Sequence, residues 1–506
     1  MAMSFQSLPS VNLTLGLTEP GTTALILLVF GLLMGVSVLF SRALDRLGIP
    51  VVLLFLVVGM LGGSEGLGGV EFDNHEAAFR IGTIALILIL VDGGLNTSLR
   101  SVRAAFGPAA ALATVGVVAT AAVLMLVGRL LGLSWTQAVL VGAIVSSTDA
   151  AAVFAVLRGG RMRLKPRLQS TIEVEACAND PMAVILTVAA IQAIAAGTAP
   201  SWTLAYQVPL QLVIGAGVGA VIGFLTTFLL NRMGFSTAGL VPVVTLGAAF
   251  SAFGLSTLLE GSGFLAVFVG ALVVGNSQIP YRRGLVRVHD AFAWLSQVSM
   301  FLMLGLLVFP SKLLPVAWVG LGLGLALAIV ARPLVAMLCL LPFGFRPREA
   351  AFVGWVGLRG AVPIVLATFP VMAGLPEGER IFHIVFFIVV VSTIIPGATL
   401  RPITKALRLD DPEPPRPVAA LEMLSLRRMN GEVRVYPIRP DLAVAGALLR
   451  EITFPEASAA ILVVRGTELL AAKGQTRLLP GDHVYIYCRP EDEPQIGLLF
   501  GQSLDG

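Results

Sequence analysis

Glu173, Glu175, Asn179 and Asp180 lie close together in the string IEVEACANDPMAVILT, which runs into a stretch apolar enough to enter a bilayer. Glu175 and Asn179 are four apart and share a helix face, and Asp180 sits about 100° round from Asn179. A desolvated aspartate beside amide and carboxylate oxygens is a hard-ligand site suited to Na+ or K+, by the logic of other oxygen-preferring cations. It is also a proton site. Burial favours the protonated carboxyl and a bound cation favours the ionised one, so proton and metal ion compete for one negative charge. That competition is the chemistry of antiport. The competing reading is a cytosolic helix entry with solvated acids and Pro181 as its helix-start residue, which suits Glu173 best.

A second polar group occurs in GAIVSSTDAAAVF, which supplies Ser146, Ser147, Thr148 and Asp149. Where a helix breaks, freed carbonyls can bind a cation and a carboxylate can compensate a positive helix end. Thr148 is then a cation ligand through its backbone or hydroxyl, and Asp149 the electrostatic partner of the break. Helix packing by a Ser/Thr cluster accounts for Ser146 and Ser147 but leaves the charge of Asp149 unexplained. Two arginines, Arg332 (ARPL) and Arg359 (GLRGAVP), need anions, and Asp92 (LVDGGLN) is the unassigned carboxylate. Arg359 is expected to neutralise carbonyl ends at a second break and to pair with Asp92. Arg332 is the other candidate for that pair, or snorkels to the interface.

The elements that carry these residues follow from composition. Hydrophobic residues make up 56% and charged residues 13%, and there are 54 glycines. That describes a polytopic membrane protein. Of the 64 charged residues, 24 fall in the last 97, so only the tail has a soluble composition. Apolar stretches of the length a bilayer demands centre near residues 31, 57, 88, 116, 147, 184, 218, 246, 271, 300, 328, 361 and 390. Thirteen spans are expected, the first being a span rather than a cleaved leader. Alternate loops hold fifteen Lys and Arg, from Arg42 and Arg46 to Arg346 and Arg348, while the other loops and their flanks hold Arg80, Arg129, Lys312 and Arg380. This bias puts the N-terminus outside and the C-terminus in the cytoplasm. Thirteen is also two six-helix repeats and a linking helix, an inverted arrangement common in secondary transporters. Spans five and twelve then correspond, and both carry a helix-disfavouring cluster at mid-depth, SSTDA in one and GLRGAVP in the other.

The chain therefore divides into a transmembrane domain at 1–409, an acidic Pro-rich linker at 410–417 (DDPEPPRP), and a small cytosolic α/β domain at 418–506. In the last, GEVRVYPI, AAILVVRG, TELLAAK and DHVYIYC read as strands and DLAVAGALLREI as a helix. Three scattered cysteines and four scattered histidines argue against a disulfide frame or metal cluster. No nucleophile or phosphate loop stands out, so an enzyme is not expected, nor is a cofactor, a nucleic-acid partner or an obligatory protein partner.

SSTDAAAVF, the E-x-x-x-N-D of EACANDPMAV, and GLRGAVPIVLA resemble the sodium/proton and potassium/proton antiporters of the cation:proton antiporter-1 family, particularly the bacterial NhaP type. The likeness covers nearly all of residues 20 to 400. It implies an all-α antiporter fold of the NhaA kind with two crossed broken helices. It makes Asp180 the exchanged carboxylate, with Asn179 preceding it, Glu175 shaping the site, Thr148 and Asp149 at the crossing, and Arg359 as the arginine of span twelve. The N-D pair is similar to that of electroneutral exchangers. Ala176 departs from the pattern, since a Ser whose hydroxyl can help hold the ion commonly stands there. The tail looks like a TrkA-C domain, which tilts the substrate toward K+, and it lacks the nucleotide-binding half. The expectation is a homodimeric antiporter of a bacterial inner membrane. It exchanges K+ or Na+ for H+ by alternating access, and a small ligand or a twin domain regulates its tail. A cation channel or osmotic sensor gated through the tail is the alternative, but a channel wants a continuous polar pore and this chain has one tight acidic locus.

Overall fold

The computed structural model describes residues 51–149, 164–197, 203–233, 237–409 and 431–501 save Glu71, Asp73, Thr467 and Pro490, with isolated positions elsewhere. The expected linker at 410–417 lies outside the described residues, as does most of the second half of span five. The chain forms two compact units. The first comprises Met1–Phe228, Pro242–Ser277 and Val286–Asp411, and the second comprises Leu229–Val241, Gln278–Leu285 and Pro412–Gly506.

The helices of the membrane part are α1 (Val51–Gly62), α2 (His75–Asn96), α3 (Leu99–Ala111), α4 (Val117–Leu130), α5 (Trp135–Ile144), α6 (Pro166–Ala178), α7 (Asp180–Ala196) and α8 (Thr203–Arg232). They continue as α9 (Leu240–Leu258), α10 (Gly263–Gly275), α11 (Arg282–Leu306), α12 (Ala317–Ala326), α13 (Arg332–Leu340), α14 (Pro347–Val356), α15 (Ala361–Met372) and α16 (Gly378–Leu407). Among the described residues seven helical stretches are long and apolar enough to cross a membrane, or eight if the pair α14 and α15, bent by 56°, makes one span. The expectation of thirteen counts apolar stretches that fold as shorter helices, α1 with 12 residues, α5 with 10 and α10 with 13. α1 begins at the first residue of its described segment, and the expected spans near residues 31 and 147 fall partly on residues outside the described ones.

Local signals explain where the helices begin and stop. Asn74 caps α2 by accepting the Ala77 amide at 2.8 Å, and Ser134 with Gln137 forms a capping box on α5. Pro181 breaks the pattern between α6 and α7, because it has no N–H to donate to the preceding turn. α3 and α4 join through a π-helical turn, Leu112–Gly116, and α12 and α13 through another, Leu327–Ala331. α2 packs on α10 and α15, α4 on α5, α5 on α7, and α15 on α16. The α2–α10 contact is backbone-close: a Cβ on Gly275 would come 2.5 Å from the Leu95 carbonyl oxygen. Small residues let helices approach in this way where lipid offers no hydrophobic drive.

In the second unit four antiparallel strands, β1 (Glu432–Pro437), β2 (Ala459–Arg465), β3 (Glu468–Ala471) and β4 (His483–Cys488), lie in the order β1-β4-β2-β3. Gly466, at φ 56°, turns β2 into β3. The final helix is α17 (Glu493–Phe500), whose Ile496 and Phe500 join a core with Tyr436, Val463, Val484 and Ile486. The strands fall where the sequence pattern puts them. DLAVAGALLREI is instead a run of turns ending in a single 3-10 turn, Leu449–Glu451. Its amides are taken by the segment opposite. Gly446 N donates to Leu478 O at 2.7 Å, Leu449 N to Thr476 O at 3.0 Å and Arg450 N to Gly474 O at 3.1 Å. A positive φ at Gly446 also breaks the helical path.

Candidate cation and proton site

Two helices end facing one another. α5 stops at Ile144 and its chain continues through a turn at Val145 and Ser146 and a bend at Ser147 to Asp149, while α14 stops at Val356 and α15 restarts at Ala361. The breaks are tied by two hydrogen bonds, Asp149 N to Leu358 O at 2.9 Å and Ala361 N to Asp149 Oδ2 at 2.7 Å. Asp149 thus sits at the positive N-terminal end of α15, where a carboxylate is stabilised by free amides and the helix dipole. This close approach dictates glycines. A Cβ on Gly360 would lie 1.8 Å from Asp149 Oδ2, and one on Gly357 would lie 2.7 Å from Arg332 Nε and 3.1 Å from Thr148 Cγ2.

Against the crossing lies the end of α6. Glu175 Oε1 receives Arg332 Nη2 at 2.9 Å and Asn179 Nδ2 at 2.8 Å, and Glu175 Oε2 receives the Thr148 hydroxyl at 3.1 Å. Asn179 Nδ2 donates to Thr148 Oγ1 as well. Asp180, the first residue of α7, lines a small pocket whose other walls are apolar, among them Phe79, Phe264, Val365 and Phe369. Thr148, Asp149, Glu175, Asn179, Asp180, Arg332, Arg359 and Asp92 are all buried, none more than 6% exposed. Asp180 is therefore no solvated helix entry. Glu173 is partly exposed and accepts from Gln169 at 2.8 Å.

The arginines do not follow the expected pairing. The ion pair is Arg332 with Glu175, so Arg332 does not snorkel. The three guanidinium nitrogens of Arg359 make no hydrogen bond, and the charges that face it are Arg332, Glu175 and Asp180. Asp92, its expected partner, accepts the Asn96 amide at 2.7 Å from within its own helix. The physical reason is that Arg332 emerges from the π turn directly against Gly357, at the carbonyl end of α14, which is the position the sequence reading assigned to Arg359. Ser147 is the buried polar group that sequence reasoning left to packing. Its Oγ makes no hydrogen bond of normal geometry, nor do Asn179 Oδ1 and Asp180 Oδ1. No feature of the string SST distinguishes one hydroxyl from the next.

A buried carboxylate with uncommitted oxygens around it can hold an alkali cation or a proton and releases one on taking the other. The comparisons with known proteins agree with that chemistry. The family described as "Sodium/hydrogen exchanger, transmembrane" matches residues 34–406. The K(+)/H(+) antiporter NhaP of Alkalimonas amylolytica is 40% identical over 481 residues, covering 95% of this chain and 84% of that protein. The K(+)/H(+) antiporter NhaP2 of Shewanella oneidensis is 38% identical, covering 94% and 83%. Among solved structures, that of the sodium proton antiporter MjNhaP1 from Methanocaldococcus jannaschii superposes with a TM-score of 0.61 at 23% identity, over 73% of this chain and 97% of that one.

Proposed function

The chain belongs to the sodium/hydrogen exchanger family, and from that premise we propose that Asp180 is the carboxylate on which a monovalent cation and H+ exchange. The protein is a multi-pass membrane antiporter for monovalent cations and protons. K+ is the favoured cation, because both relatives that match nearly the whole chain carry K(+)/H(+) in their names, and Na+ is the second substrate. One observation carries the site: Asp180 is buried, has an unpartnered oxygen, and opens on an apolar cavity.

The roles follow from the contacts. Asp180 takes either ion and Asn179 presents its amide oxygen beside it. Glu175 is committed to Arg332, Asn179 and Thr148, so it frames the site rather than exchanging. Asp149 closes the crossing by holding Ala361 N. Arg359 keeps a compensating positive charge near Asp180 and Glu175 when the carrier is empty. With one carboxylate available to load, one cation replaces one proton and exchange is electroneutral. Alternating access then moves the crossing and Asp180 between the two faces, in a homodimer of a bacterial inner membrane with its N-terminus outside. Residues 1–409 form the transport domain, and 418–506 a cytosolic regulatory domain of TrkA-C type that answers to a small ligand. A channel finds no support in relatives that are antiporters.

Everted membrane vesicles test the assignment. Asp180→Asn is expected to abolish dissipation of the pH gradient by added K+ or Na+. Full cation-dependent dissipation in that variant would overturn it.

A further inference from the structure

Three hydroxyls stand in a row at the crossing, and their hydrogen bonds separate them. Ser146 Oγ donates to the Ala143 carbonyl at 2.6 Å. Thr148 Oγ1 donates to Glu175 Oε2 at 3.1 Å and accepts from Asn179. Ser147 is fully buried and its Oγ makes no hydrogen bond of normal geometry; the group it approaches as a donor is the Asp180 carboxylate. Asn179 spends its amide nitrogen on Glu175 and Thr148, which turns its free oxygen away from that pair. Orphaned polar atoms are few in native interiors and each asks for an occupant. Here three such oxygens, Ser147 Oγ, Asn179 Oδ1 and Asp180 Oδ1, belong to the broken span and the start of α7, and Ser147 faces Asp180.

We infer that Ser147 is a ligand of the transported alkali cation through its hydroxyl oxygen, acting with Asp180 Oδ1 and Asn179 Oδ1, while Thr148 holds Glu175 and Asn179 in place. This rests on the reading of Asp180 as the exchanged carboxylate. The chemistry suits a hard, weakly hydrated ion, which takes neutral oxygens beside one carboxylate. Residue 176, four before Asp180 near the end of α6, is Ala and its side chain offers no oxygen. The hydroxyl then comes from across the crossing. A neutral ligand sets cation affinity and the choice between K+ and Na+ without altering the charge that couples to the proton.

Reconstituted full-length protein, assayed for H+ exchange against graded K+ and Na+, tests the inference. Ser147→Ala is expected to raise the K+ KM about ten-fold with kcat within about two-fold, the scale of one lost polar contact. Ser147→Cys has nearly the parent shape but a soft sulfur that alkali ions do not favour, so it should behave like the Ala variant. Ser147→Thr keeps the oxygen and should stay near the parent KM. A packing role predicts the reverse order, Cys tolerated and Thr not, and that order overturns the inference, as does an unchanged K+ KM in both Ala and Cys variants. If Asp180→Asn still abolishes exchange, either result removes Ser147 alone; exchange surviving in Asp180→Asn removes the reading beneath it.

Discussion

Glu175 is where the hydrogen bonds of the site converge, and its carboxylate is satisfied on both oxygens by Arg332, Asn179 and Thr148. A buried ion pair contributes little net stability against an apolar substitute, yet losing one partner leaves an uncompensated charge and costs about 3–5 kcal/mol. Arg332→Leu alone is therefore expected to lower the melting temperature of the detergent-solubilised protein markedly, and Arg332→Leu with Glu175→Leu to recover much of the loss. Single and double variants melting together would show that the pair does not couple. The sequence reading reached Glu175 and Asn179 because helical spacing places both on one face, and it reached Asp149 because a carboxylate beside a helix break has few other uses. It missed which arginine serves Glu175. Both arginines sit among apolar residues at similar depth, and chain order carries no information about which one lies 2.9 Å from a carboxylate contributed by another helix.

Arg332 faces Glu175 because of the element that precedes it. The π turn at Leu327–Ala331 adds one residue to the helix and so rotates everything after it by about 100° relative to a continuous α-helix. Upstream, α12 packs on α16; downstream, α13 packs on α14. The π turn lies between these two packing contacts. The span containing α3 and α4 has the same device at Leu112–Gly116, and the packing is reciprocal, α13 against the first π turn and α4 against the second. An inverted repeat would place these two turns in corresponding positions. Ile329 lies within the second turn and is 57% exposed, so its side chain contributes little to the core. Deleting Ile329 is expected to lower the K+ exchange rate at least about ten-fold by swinging Arg332 off Glu175, whereas Ile329→Ala should exchange like the parent. A deletion variant with the parental rate would show that the offset has no role. Apolar stretches make the seven or eight spans found among the described residues legible, and the SSTDA and GLRGAVP clusters make both breaks legible. The π turns leave no local residue signature, because they resolve a mismatch between two packing faces. The tail segment DLAVAGALLREI reads as a helix for a related reason: its apolar spacing fits a helix, while its backbone pairs with residues 474–478.

At the scale of the whole molecule, every residue placed at the site belongs to the first compact unit, and Pro412–Gly506 belongs to the second. The tail has a core of its own, with Tyr436, Val463, Val484, Ile486 and Phe500 buried across a four-stranded sheet. Asp482 is buried there beneath Arg465, which donates to it from Nε and Nη2 at 2.8 Å each. That hydrogen bond holds the Arg465 guanidinium above its ordinary pKa, so this clasp persists across the physiological range. A domain with a core of its own is expected to influence exchange as a bias between conformations. A chain ending at residue 409 is then expected to keep saturable K+/H+ exchange with the parental KM and to differ in how its rate responds to cytosolic conditions. Reconstituted exchange with K+, Na+ and Li+ across pH, with and without residues 410–506, separates the outcomes. A truncated protein that inserts normally but has lost saturable exchange would mean that the tail completes the transport machinery rather than biasing it.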